Sequence, residues 1–306
     1  MVLDAHRTGV PGVSDMVVLL NPKSGPVYRR VKFQDLQERL KAQGSAAQVI
    51  RLWRHGEIRQ VAEEVIRQGC RVLVAAGGDG TVSAVASVVA GTECSLGVLP
   101  TGTLNHFARD LRIPLDLNAA IAVLARGRSE PVDIAEVNGR KFVNNSSIGI
   151  YPRMVVLRER EQRIGRNKWV ALALAVITVL RRFPFSTVRV HVGDQVIQQR
   201  TPFVFVGNNE YELEGLELGK RGTLNGGRMF LYVAAPTSRL GLVSMAFRAL
   251  VGRLDRERSL QMFNVTEAWI ETRRSRVRVS TDGEVGWMRS PLHYQLLPLN
   301  LKVIVP

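Results

Sequence analysis

A chain of 306 residues with 45% hydrophobic and 23% charged residues can bury a full core and is long enough for two domains, which excludes wholesale disorder. Its 42 basic residues outnumber 27 acidic ones, a formal net charge of +15, so ligands that carry phosphate or present an anionic surface suit the balance best. No nucleic-acid recognition motif accompanies that charge, and only seven of the basic residues are lysine, leaving 35 arginines.

In chain order, the N-terminal "MVLDAHRTGVPGVSD" lacks an apolar stretch of signal-peptide length and reads as a short lead-in, which predicts a cytoplasmic protein. Four apolar runs follow without polar alternation: "MVVLL" (Met16 to Leu20), "AQVIRL" (Ala47 to Leu52), "VLVAA" (Val72 to Ala76) and "SLGVLP" (Ser95 to Pro100). Such runs suit strands covered on both faces. Between them, Phe33, Leu36 and Leu40, then Ile58, Val61, Ala62, Val65 and Ile66, recur at helical spacing. Alternating strands and helices predict a parallel, layered α/β domain over residues 14–132, with the loops after the strands gathered along one sheet edge. Cys70 and Cys94 have neither metal-site spacing nor a secretory context and read as reduced thiols.

Beyond residue 132 the pattern changes. Asn138-Gly139 and Gly193-Asp194 sit between strand-like segments as hairpin turns. Further strand candidates are "FVFVGN", "MFLYVAA", "AWIET", "VRVS" and the closing "NLKVIVP", with helical patterns at Tyr151 to Glu161, Lys168 to Arg182 and Ser238 to Gly252. Residues 133–306 therefore read as a β-rich, sandwich-like domain, and pattern leaves open whether the last strand returns to the first domain. The longest apolar run, Trp169 to Leu180, falls short of the roughly 20 residues a membrane-spanning helix needs. It is flanked by Arg153, Arg158, Arg160, Arg163, Arg166, Lys168, Arg181 and Arg182, against only Glu159 and Glu161, which suits either docking on anionic lipid or a core helix with solvated ends.

Three loops follow strands of the first domain: "NPKSG" (Asn21 to Gly25), "GGDGT" (Gly77 to Thr81) and "LPTGTLNHFARDL" (Leu99 to Leu111). Backbone N–H groups unshielded by side chains at a strand end form a cradle for phosphate. Asp79 among phosphate oxygens is useful for holding Mg²⁺, and Thr81 can donate to a phosphate oxygen or cap the following helix. A lone glycine cluster would fit a structural turn equally well, but three such loops on one edge favour a nucleotide site. Neither a Walker P-loop nor a G-x-G-x-x-G fingerprint is present.

"NPKSG", "GGDGT", "LPTGTLNHFARDL" and "TDGE" (Thr281 to Glu284), in this order, resemble the diacylglycerol kinase catalytic-domain family, which includes bacterial lipid kinases and the sphingosine and ceramide kinases. The resemblance implies an α/β nucleotide domain, a β-rich domain, an active site in the cleft between them, and ATP- and Mg²⁺-dependent phosphorylation of diacylglycerol or a related lipid at a membrane surface. It implies nucleotide contacts from Asn21, Ser24, Gly25, Gly77, Gly78, Asp79, Gly80, Thr81 and Thr103, a metal role for Asp79, and a general base in Glu284. The bare "DGE" would otherwise read as an exposed β-turn. Two positions depart from the pattern: His106 stands where many relatives have aspartate, and Gly226 where related enzymes have an aspartate of an accessory metal site. A catalytically silent nucleotide- or lipid-binding protein and a soluble-metabolite kinase of the NAD kinase type are the alternative readings.

Overall fold

The computed structural model describes residues 3–4, 14–22, 33–52, 56–149, 186–214, 217–234 and 260–306. The helices expected near 151–161, 168–182 and 238–252 lie outside these residues, as do Ser24, Gly25 and the basic segment around the Trp169 to Leu180 run. The described chain divides into two compact units. One comprises residues 1–134, 223–225 and 297–306, and the other 135–222 and 226–296.

The first unit runs β1 (Leu3–Asp4), β2 (Met16–Leu20), α1 (Phe33–Ala42), β3 (Gln48–Arg51), α2 (Glu57–Arg67), β4 (Val72–Gly77), α3 (Asp79–Val89), β5 (Ser95–Pro100), α4 (His106–Asp110), α5 (Leu117–Arg126) and the start of β6 (Arg128–Val137). The strands pair in parallel in the order β1-β3-β2-β4-β5, and Val303 near the chain's end pairs in parallel with Leu96 of β5. Every residue of β5, and all but the first of β2 and β4, is buried. The strands are covered because helix α1 packs against α5 and helix α2 against α3, whose apolar stripes need a partner surface. Gly97 in β5 exists to let α5 approach: a Cβ there would stand 2.7 Å from Leu124 Cδ2 and 2.8 Å from Val74 Cγ2.

The second unit continues with β7 (Arg140–Phe142), β8 (Asn145–Gly149), β9 (Ser186–Val192), β10 (Gln195–Thr201), β11 (Phe203–Asn208), β12 (Tyr211–Glu214), β13 (Glu217–Arg221), β14 (Met229–Ala234), β15 (Leu260–Val265), β16 (Glu267–Thr272), β17 (Arg276–Thr281), β18 (Glu284–Arg289) and β19 (Leu292–Val305). A six-stranded antiparallel sheet has the order β15-β14-β11-β8-β17-β18, and β10-β9-β16 with the first half of β19 form an antiparallel second face. Alternate residues of the two sheets, among them Ile148, Val190, Val206, Leu231, Val279 and Leu292, fill one core with Phe142 and Tyr294, whose rings meet edge to face at 6.4 Å. The fold is therefore an α/β domain followed by a β-rich domain. Strands β1, β12, β13, β15 and β18 had no counterpart in the sequence reading.

Asn138 (φ 47°) and Gly139 (φ 79°) both take the left-handed conformation of a two-residue hairpin turn, and Asp282 (φ 48°) and Gly283 (φ 85°) do so between β17 and β18. The Asp282 turn is more than a surface turn. Its carboxylate accepts hydrogen bonds from the backbone N–H groups of Val143 (2.9 Å), Asn144 (2.8 Å) and Asn145 (3.0 Å). From the other side, the buried Arg221 guanidinium donates to the carbonyls of Val143 (2.6 Å) and Asn208 (3.0 Å) and to Asn144 Oδ1 (2.8 Å). Residues 143–145 are thus held between a carboxylate that takes their N–H groups and a cation that takes their oxygens.

Two stability effects follow from these contacts. Gly97→Ala forces the added methyl onto Leu124 and Val74 and should cost about 1–3 kcal/mol, read as a lower denaturation midpoint. Asp282→Ala strands three N–H donors and should cost roughly 3 kcal/mol or more in the same measurement, whereas an exposed turn residue would change it little.

Candidate active site

In the first unit β2 lies between β3 and β4, and the chain leaves β2 toward β3 on one side while β4 passes through α3 to β5 on the other. This reversal of direction opens a crevice beyond the carboxyl ends of β2 and β4, the position where open α/β sheets bind ligands. The loops at the crevice are tied together. Asn21, just past β2, donates its N–H to the carbonyl of Ala76 (3.0 Å) and its Nδ2 to Thr81 Oγ1 (2.9 Å). Thr81, 2% exposed, sits over Gly77, where a Cβ would fall 2.4 Å from the Thr81 side chain.

The third loop closes on the same place. Thr101 donates its N–H to the carbonyl of Gly77 (3.2 Å), and a Cβ on Gly102 would stand 2.4 Å from Gly78 Cα. Asn105, left-handed at φ 52°, fixes that loop by accepting from Gly102 N–H (3.0 Å) and donating to the Gly102 carbonyl (2.9 Å). The motifs after β2, β4 and β5 are therefore in direct contact.

Gly78, in extended conformation, is the N-cap of α3, and its carbonyl accepts from the N–H groups of Thr81 and Val82. Thr81 is thus not the cap: its side chain turns inward to Asn21. Asp79 opens the helix, and its Oδ1 is buried without a hydrogen-bond partner, as is Thr101 Oγ1. Buried polar atoms left without protein partners are costly, and at the crevice these two suit a ligand's polar groups, while the Ser147, Ser280 and Thr281 hydroxyls of β8 and β17 are buried without partners in the second unit. Thr103 is exposed beside them. His106 is exposed at the first position of α4, directly after Asn105.

In the second unit, Glu284 is the first residue of β18. Its Oε2 pairs with Arg140 Nη2 at 2.7 Å, with the two side chains 46% and 36% exposed. Arg140 lies along β18, since a Cβ at Gly286 would stand 3.2 Å from its Nη1. The carboxylate is thus held by a cation yet open to solvent, while its neighbour Asp282 is used up by backbone donors. Sequence reading did not single out Thr101, Asn105, Asp282 or Arg140. The position of Thr101 at a strand end was a usable signal, but the pairing of Arg140 with a residue 144 positions later was not.

The residues fit a divalent cation that arrives with a nucleotide: Asp79 offers one unsatisfied carboxylate oxygen at a helix N-terminus, and magnesium commonly takes one or two protein carboxylates with phosphate and water completing its shell. Among the described residues no group of three or more His, Cys, Asp or Glu side chains could hold a metal by itself. The accessory metal site does not fit. Gly226 has no side chain to offer and donates its N–H to Asn209 Oδ1 (2.9 Å), while the Arg221 guanidinium already occupies the neighbouring carbonyls.

The model of the diacylglycerol kinase catalytic domain matches residues 15–137, and that of the YegS C-terminal NAD kinase beta sandwich-like domain matches residues 155–305. A protein of Pectobacterium atrosepticum named "Probable lipid kinase YegS-like" is 28% identical over 239 residues, 76% of this chain and 77% of its own. One of the same name from Pseudomonas aeruginosa is 38% identical over 133 residues, 43% of this chain and 42% of its own. Among solved structures, a diacylglycerol kinase from Bacillus anthracis str. Sterne superposes with a TM-score of 0.68 at 20% identity over 95% of this chain and 97% of that one. Yeast NADH kinase in complex with NADH shares the fold at a TM-score of 0.56 and 13% identity, over 95% of this chain and 83% of that one. Among the described residues no helix is long and apolar enough to cross a membrane. The chain therefore joins a diacylglycerol kinase catalytic domain to a YegS-type C-terminal sandwich domain, and by its catalytic domain belongs to the diacylglycerol kinase catalytic-domain family.

Proposed function

We propose that this protein is an ATP- and Mg²⁺-dependent lipid kinase that transfers the γ-phosphate to a hydroxyl of diacylglycerol or a related lipid, acting from the cytoplasmic side at a membrane surface. The observation that carries the reading is the unpartnered, buried Asp79 Oδ1 at the start of α3, in a crevice whose glycines leave backbone N–H groups uncovered.

In this reading the first turn of α3 and the loops at Gly77–Gly80 and Thr101–Thr103 bind the nucleotide phosphates, with the helix dipole favouring their charge. Asp79 orients the metal, and Thr101 Oγ1 is free to bond a phosphate oxygen. Magnesium bound with the nucleotide supplies charge neutralisation at the transferring phosphoryl group. Glu284 Oε2 or Oε1 takes the proton from the acceptor hydroxyl as its oxygen bonds the γ-phosphorus and the bond from that phosphorus to the β–γ bridging oxygen breaks to release ADP, with Arg140 fixing the carboxylate's direction. The likeness to NADH kinase concerns the fold, so NAD serves as the comparison acceptor.

Transfer of labelled γ-phosphate from ATP with Mg²⁺ into lipids in mixed micelles tests the reading. Label is expected in a glycerolipid and not in NAD, and no label in any lipid would overturn it. Asp79→Ala should abolish turnover while leaving the thermal midpoint near that of the wild type. Glu284→Gln should lower kcat by roughly 10²- to 10⁴-fold, the range for losing a positioned base, and an unchanged kcat would remove Glu284 from the chemistry.

A further inference from the structure

The second unit contains a cleft of about 920 Å³ at one end of its sandwich, formed by Arg200 of β10, Arg273 and Arg274 of the β16–β17 turn, and Arg276, Arg278 and Trp287 of β17 and β18. Of its eleven described lining residues five are arginines and none is acidic. In the whole chain arginine accounts for 35 of 306 residues, so the enrichment is local. Among the described residues Arg273, Arg274, Arg276 and Arg278 make no ion pair, in contrast to Arg140 and Arg189, which each hold a glutamate.

The strand register sharpens the imbalance. Arg276 lies directly across from Arg289, and like charges facing one another across a ladder destabilise it. Among the described residues neither arginine has an anionic partner. Arg278 lies across from Trp287, with its guanidinium 5.0 Å from the ring centroid, and Trp287 is 61% exposed. An exposed indole beside unpaired guanidinium groups is the combination suited to lipid headgroups, since the ring sits at the apolar–polar boundary while the forks take phosphate oxygens in pairs.

We infer that this arginine-lined cleft binds the phosphate headgroups of anionic phospholipids and seats the second unit on a negatively charged bilayer. A compact cleft with one aromatic ring favours a headgroup over an extended nucleic acid, which would require a basic track with several stacking rings. Trp287 and Glu284 belong to the same strand, three residues or roughly 10 Å apart. The odd offset turns their side chains to opposite faces of β18, so the cleft seats the edge strand that carries the proposed base without aiming that base at the bilayer. In that respect the inference deepens the lipid-kinase reading. Binding itself is measured without nucleotide, so a protein that binds vesicles yet phosphorylates no lipid would sink the kinase reading and leave this one standing.

The test uses the full chain in vesicle cosedimentation, with phosphatidylcholine alone and with phosphatidylcholine mixed with phosphatidylglycerol. The wild type should bind only the mixed vesicles and be released by salt. The double variant Arg274→Glu, Arg276→Glu should lose at least about tenfold in partitioning, while Arg126→Glu, an exposed arginine of α5 in the first unit, should behave as wild type. Trp287→Phe should remove the vesicle-induced change in tryptophan emission. Both cleft arginines are exposed, and an unchanged thermal midpoint confirms that the double variant is folded. Equal binding by the double variant, or an equal loss in Arg126→Glu, would overturn the inference. So would saturable binding of inorganic phosphate, or of duplex DNA, that depends on Arg274 and Arg276 while mixed vesicles are ignored.

Discussion

The first unit is organised around a place where backbones meet without side chains between them. Gly102 rests on Gly78, and Thr81 fills the space that a side chain at Gly77 would need. A methyl at Gly77 would fall 2.4 Å from Thr81 Cβ and one at Gly102 2.4 Å from Gly78 Cα, and at Gly102 the obstacle is backbone, which no repacking of a flexible chain end relieves. This close approach brings together three loops that follow three different strands. It also sets the N-terminus of α3 at the crevice, the end of a helix whose dipole favours negative charge. The Asn21–Thr81 hydrogen bond then fixes the β2 loop to the helix start.

The second unit solves a different problem, how to hold an irregular segment inside an antiparallel sandwich. Residues 143–145 link the β6–β7 hairpin to the central strand β8 and carry backbone groups that the sheets leave unpaired. Asp282 and Arg221 satisfy those groups from opposite sides with charge-assisted bonds. The turn at Asp282-Gly283 consequently has two functions. Its aspartate is structural, and its tightness delivers Glu284 to the head of an edge strand, where the carboxylate meets Arg140 and solvent.

Charge is distributed between the units in accordance with these roles. Asp79 is left without a protein partner at a helix N-terminus, and Glu284 is paired but accessible. The arginine excess is partly spent on ordinary surface pairs, such as Arg59 with Glu63 and Arg67 with Glu64, which contribute little. The cluster around Trp287 is different because among the described residues no carboxylate lines it.

Sequence alone determined the α/β layering, because β2, β4 and β5 are buried on both faces and so appear as unbroken apolar runs, and α1 and α2 carry apolar residues at helical spacing. It also determined the hairpins at Asn138-Gly139 and Gly193-Asp194, whose turn residues encode their own geometry, and the glycine-rich loops that carry the family's pattern. Strands β15 and β18 escaped it: β18 is an edge strand with mixed exposure, and β15 starts a sheet edge next to residues outside the description, so neither shows clean alternation. Only tertiary structure decided that Thr81 faces Asn21 instead of capping α3, that Asp79 and Thr101 each carry a buried oxygen without a hydrogen-bond partner, and that Asp282 is occupied by backbone donors while Glu284 pairs with Arg140 and still reaches solvent. The pairings among them join residues 60 to 144 positions apart in sequence. Local pattern records a residue's preference for helix, strand or turn, whereas the direction of a polar side chain is set by whichever donor or acceptor the fold brings beside it.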